Sequence, residues 1–148
     1  MGKITFATAV LLMSTFLTAS DAQAQLAGQW TLELGEWQAG EGRQVRIPGG
    51  NAGSLAITIR GDSAFAQLRD GDPEPLDLAG RVAGNTAKLV GNRMARVNRN
   101  GEATEVLLTV ELDISVTSGE ATGTIRMRAG ADEPVIRTFK GRTANGQV

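Results

Sequence analysis

The chain has 148 residues, no cysteine, no histidine and a net charge of −1, with 15 basic side chains against 16 acidic ones. That inventory excludes disulfide stapling, thiolate or imidazole metal centres, and every Ser–His or Cys–His nucleophile pair. The charge balance gives no field that would attract nucleic acid or an anionic membrane surface.

Residues 1–24 read as a secretory signal peptide. Lys3 supplies a positive start, Ile4 to Thr18 is mostly apolar, and Ala22-Gln23-Ala24 has the small-x-small spacing of a signal peptidase site. A helix that spans a bilayer needs ~20 apolar residues. This run is shorter and carries Thr5, Thr8, Ser14 and Thr15. The expected mature protein begins at Gln25, is secreted or periplasmic, and does not span the membrane after cleavage. It has no cysteine at the cut for a lipid anchor, and losing Lys3 and Asp21 leaves its net charge unchanged. Its length fits a single domain over 25–142, followed by a polar, flexible tail over 143–148.

In chain order, the mature sequence alternates period-two runs with turn residues. Gln29–Leu34 puts Trp30, Leu32 and Leu34 on one face, and Val45–Ile47 is a shorter, less regular run. Ser54–Arg60 sets Leu55, Ile57 and Ile59 against Thr58 and Arg60, and less regular runs follow at Ala64–Leu68, Leu76–Val82 and Lys88–Val97. The clearest pattern is Val106–Val116, where Val106, Leu108, Val110, Leu112, Ile114 and Val116 share one face opposite Glu111 and Asp113. Strict alternation marks a strand with one buried face. Leaving those six side chains in water would forgo roughly 1.5–3 kcal/mol each, a sum that rivals the ~5–15 kcal/mol stability of a whole domain. Ser118-Gly119 then turns the chain into Ala121–Ala129, and Val135–Phe139 is the last run.

Turn chemistry separates the runs, at Gly40–Gly42, 48–51, Gly61-Asp62, 70–73, Gly84-Asn85, Asn100-Gly101 and 130–132. No helical period persists. The expectation is an all-β domain of eight or nine strands. A strand over Val106–Val116 would be about 37 Å long at ~3.4 Å per residue. Sandwich strands are usually about 5–6 residues long, so an eight-stranded antiparallel up-and-down barrel is preferred to a β-sandwich. A transmembrane barrel would need an apolar outer band about 25 Å tall. Here Glu111, Asp113, Arg126 and Arg128 lie opposite the apolar face, and the mature chain has few aromatic residues to form girdles. A water-soluble barrel is therefore expected.

Gly28-Gln29-Trp30 resembles the G-x-W that opens the first strand of lipocalins and related barrels. The resemblance implies that Gly28 starts the strand and Trp30 plugs the barrel base. A basic residue near the chain end, Arg142 or Arg137, would stack on Trp30. It also implies a small apolar or amphipathic ligand held inside. Leu26–Trp30 further resembles the start of secreted bacterial metalloprotease inhibitors, which are also small barrels. That family inserts an N-terminal arm into the protease cleft, but here only Gln25 precedes the match and the family's cysteine pair is absent.

Other conspicuous groups have plain structural explanations. Arg60-Gly61-Asp62 matches an integrin-binding tripeptide but sits where a tight hairpin is needed. Asp70, Asp72, Glu74 and Asp77 lack the spacing of a calcium loop and read as a solvated turn. Glu111 and Asp113 face Arg126 and Arg128 as cross-strand pairs rather than as a pair of acid/base carboxylates. Arg93, Arg96 and Arg99 have no interleaved aromatic residues on which bases would stack. No catalytic, metal or cofactor site is expected. Small residues at the inward positions Gly80, Gly91, Gly123 and Ala129 mean either an open pocket or close backbone approach and strand kinks. A modest cavity is preferred, with Trp37, Phe65, Met94 and Met127 at its wall or mouth. The expected function is non-catalytic binding of a small apolar ligand. The alternative is a protein–protein module of the envelope or a protease-inhibitor-like domain.

The exported protein should begin at Gln25. Intact mass of the secreted form checks this, and a species that retains residues 1–24 would contradict it.

Overall fold

The computed structural model describes residues 25–47, 50–71 and 74–144, apart from the Arg99 side chain. The expected signal peptide and residues 145–148 of the expected tail lie outside these residues. Eight strands follow one another: β1 (Gly28–Leu34), β2 (Ala52–Arg60), β3 (Ser63–Arg69), β4 (Leu76–Ala83), β5 (Thr86–Arg99), β6 (Glu102–Thr117), β7 (Glu120–Ala129) and β8 (Val135–Thr143). Each pairs antiparallel with the next, and β8 pairs back onto β1, which closes an up-and-down barrel. Closure removes the sheet edges that an open sandwich would have left exposed.

Two of the expected boundaries move. Val45–Ile47 is not a ninth strand. It belongs to the 35–51 connection, where Val45 N–H donates to the Trp37 carbonyl (3.0 Å) and Gly40–Gly42 makes one 3-10 turn. Thr143 and Ala144, expected to open the tail, are instead tied to β1. Thr143 is still paired with Trp30, and Ala144 N–H donates to the Gln29 carbonyl (2.9 Å).

The two ends of the barrel differ. At the base, three of the connections are two-residue turns, at 61–62, 84–85 and 118–119. There Trp30 is 1% exposed, and its indole N–H donates to the carbonyl of fully buried Leu26 (3.0 Å). Gly28 leads into that strand at φ +123°, a conformation that L side chains rarely adopt. At the opposite end, the mouth, the longer connections 35–51, 70–75 and 130–134 accompany the tight Asn100-Gly101 turn.

Strands β5 and β6 run past the rim. β4 pairs with β5 only as far as Val90, and β7 pairs with β6 only as far as Leu108, while β5 and β6 stay in register to Arg99 and Glu102. This overhang explains the burial gradient along β6. Val110, Leu112, Ile114 and Val116 are buried, but Val106 and Leu108, also on the inward face, are only half-buried.

Buried apolar side chains occupy the barrel interior. Leu32, Leu55, Leu68, Leu78, Leu89, Leu112, Ile125 and Phe139 belong to one continuous buried cluster. The small inward residues draw neighbouring strands together rather than lining space. A Cβ at Gly80 would lie 1.8 Å from the Lys88 carbonyl oxygen, one at Gly91 2.3 Å from that of Asp77, and one at Gly123 1.9 Å from that of Asp113. Of the two readings of these glycines, close backbone approach is the one their surroundings fit.

Leu112→Ala should destabilise the barrel by roughly 2–5 kcal/mol. Leu108→Ala at the rim should cost less, and Glu111→Ala should stay within about 0.5 kcal/mol. Urea melts check all three. Gly123→Ala should also destabilise, because its new methyl group meets backbone rather than a side chain able to move.

Candidate functional site at the barrel mouth

Alternation along β8 turns Arg137, Phe139 and Gly141 inward and Arg142 outward. Arg137 is therefore a charged side chain inside the mouth, only 5% exposed. Its Nε–H donates to the Gly35 carbonyl (2.7 Å), and its terminal nitrogen donates to that of Gly50 (3.4 Å). Those carbonyls lie at the two ends of the 35–51 connection, so one guanidinium ties the neck of the loop. Its plane also lies over the Trp37 ring, 4.7 Å from the centroid. Burial pushes Arg137 below arginine's ordinary pKa, and the charge of Asp70 opposes that shift.

The expected stack of Arg142 or Arg137 on Trp30 is corrected in both partners. Arg142 points to solvent, and Arg137 lies at the start of β8, at the opposite end of the barrel from Trp30. Trp37 takes the place of Trp30 in the stack.

The rest of the loop lies against the rim. Gln38 and Ile136 exchange two backbone hydrogen bonds (2.8 Å each), and Gly40 N–H donates to the Glu133 carboxylate (3.0 Å). Between loop and barrel is a concavity of about 410 Å³, lined by Glu36, Trp37, Gln44, Val45, Ile47 and Arg137 among others. Its apolar residues Trp37, Val45 and Ile47 belong to or pack on the core cluster, and Glu36 and Gln44 face water while Arg137 is buried.

The other candidate residues separate. Met127 is inward and half-buried near the mouth, beside Val135. Phe65 points outward, 46% exposed, and lines an outer groove with Thr58, Ala79 and Val90. Met94 also points outward, on the overhanging part of β5, at 59% exposure. Neither Phe65 nor Met94 lines the interior. Counting back in twos from buried Leu68 shows that Ala66 and Ala64, not Phe65, face the core. No comparable signal in the sequence identifies Arg137 as the neck of the loop.

Arg60-Gly61-Asp62 forms the expected tight turn, and Asp62 accepts from Arg81 (2.8 Å) at the surface. Asp77 accepts from Gln67 (3.2 Å), and no metal-holding group of acidic residues occurs among the described residues. Glu111 and Arg126 are directly opposite in register, with Thr109 opposite Arg128, along a shallow polar surface. Arg93 donates to the Glu74 carbonyl (3.4 Å).

Comparison with family models, with curated proteins and with solved structures gives no match. The fold and the mouth define an eight-stranded up-and-down barrel with an apolar core and a strapped rim.

Arg137→Met retains much of the side-chain bulk but removes both hydrogen bonds and the stack. It should cost roughly 1–3 kcal/mol in urea melts. Acrylamide quenching should also rise, and that rise should disappear in a Trp37→Phe background.

Proposed function

We propose that this chain is an exported, non-catalytic binding module whose partner is another protein, engaged at the mouth end. The observation that carries the reading is the overhanging β5–β6 ribbon. Met94 and Leu107 face each other across it on the outer surface, 59% and 48% exposed. Large apolar side chains grouped on a projecting element favour a contact surface over isolated exposure. The close backbone neighbours of the inward glycines support the same reading, since they give those glycines a packing role that needs no ligand cavity. The absence of histidine and cysteine from the whole sequence supports binding over catalysis.

A second reading is a small amphipathic ligand at the mouth. It is favoured by the 410 Å³ concavity, where Trp37, Val45 and Ile47 offer apolar surface beside the Arg137 guanidinium.

The discriminating experiment places a photo-crosslinking amino acid at position 94 of the full chain, in the cells that make it. One discrete protein adduct is expected, with none when the same group replaces Lys88 near the base. No adduct from position 94, together with saturable uptake of a fatty acid or apolar dye by the folded protein, would replace this reading with the second.

A further inference from the structure

The overhang leaves backbone as well as side chains exposed. Gly130 N–H donates to the Leu107 carbonyl (2.9 Å), so Leu107 turns its backbone groups toward the β7 side. Backbone groups alternate in direction along a strand. Those of Glu105 and Ala103 therefore point the same way as those of Leu107, while Val106 and Thr104 face β5. On the β7 side the pairing has already ended. Ala129 is opposite Leu108, and the chain turns back after Gly130, with Asp132 N–H donating to the Ala129 carbonyl (3.0 Å). Among the described residues no strand lies beside Ala103 and Glu105, and both are exposed.

We infer that this free edge of β6 receives an extended segment of the protein partner as an added strand, with apolar residues facing the mouth and a basic residue outward opposite Glu105. The inference rests on the protein-binding reading given above. Alternating N–H and C=O groups with no partner are matched by a peptide backbone, and by few other ligands. On the inward side, Val106 and its neighbours Val97 and Ala95 on β5 are half-buried, which suits apolar side chains. On the outward side, exposed Glu105 stands at the edge as the negative charge of the ribbon's outer face there, while exposed Glu102 lies on the opposite face at the ribbon's end. Arg96 lies across from Glu105 on β5, on the side away from the edge. The Glu105 carboxylate disfavours a second copy as occupant. Edge-to-edge antiparallel pairing of two copies about this position would bring the Glu105 carboxylates of both close together, and like charges facing across a pair destabilise it.

The test titrates the folded full chain with three capped eight-residue peptides, followed by amide NMR. One alternates Val and Lys, one alternates Val and Glu, and one is the Val–Lys peptide N-methylated at every residue. The Val–Lys peptide should shift the Ala103 and Glu105 amides and slow their hydrogen exchange, and the other two should bind at least tenfold more weakly. Glu105→Lys should reverse the preference between Lys and Glu peptides. Ala103→Pro removes one N–H at an unpaired edge position and should weaken binding at least tenfold, with the remaining spectrum unchanged.

Unmoved Ala103 and Glu105 amides, or equal binding of the N-methylated peptide, would overturn the inference. So would concentration-dependent self-association through the same amides without peptide. If position 94 still traps a protein while these amides do not respond, the edge inference fails and the binding-module reading stands. If position 94 traps no protein and the amides do not respond, both fail.

Discussion

Pairing of β8 with β1 is the constraint on which the architecture depends. It turns a row of hairpins into a closed wall, so that each strand has neighbours on both sides along the barrel. Closure also gives every strand an inside. Positions that alternate inward then bury Leu, Ile and Val without disulfides. The wall is tight because glycines at three inward positions let carbonyls of adjacent strands come nearer than any side chain permits. An eight-stranded barrel has an interior about wide enough for side chains alone to fill. Packing here uses that capacity for stability.

What the closed wall cannot accommodate is its own unequal strand lengths. β1 has 7 residues, whereas β5 has 14 and β6 has 16. The surplus emerges at one end as a two-stranded ribbon. That end also carries the long 35–51 loop, which would be free to swing if its neck were untied. Arg137 ties it. The planar fork of a guanidinium can reach two carbonyls while its face lies on Trp37. A buried charge is costly, and this one is offset by hydrogen bonds, a π-face and the charge of Asp70. At the opposite end, buried Leu26 and Trp30 are joined by one indole hydrogen bond.

Much of the barrel is legible because period two is a direct physical consequence of one-sided burial. Val110, Leu112, Ile114 and Val116 are readable on that ground alone, as are Trp30, Leu55 and Ile57. The pattern misleads where alternation is weak or where a contact depends on distant chain. Alanine at 64 and 66 makes the inward face of β3 look the less apolar one, so that Phe65 resembles wall. Val45 and Ile47 have the composition of a strand, but their burial comes from a loop packing over the rim. The site itself is only half legible. Trp37 can be singled out as a large apolar residue near a turn. Its partner Arg137 lies about a hundred positions away, and nothing local distinguishes it from Arg142 except which side of β8 it occupies.

The order of pairing has a kinetic consequence. Seven of the eight strand pairs join neighbours in sequence, several across two-residue turns, so they can form locally and early. The eighth, between β1 and β8, encloses nearly the whole domain. A loop about ten times longer costs only about 2 kcal/mol more to close. The difference is modest in equilibrium terms but sets a sequence of events. Until β8 meets β1, the growing sheet has two open edges and an uncovered apolar face. In that interval an unfinished barrel is most prone to pair with another, and quick formation of the tight base turns shortens it.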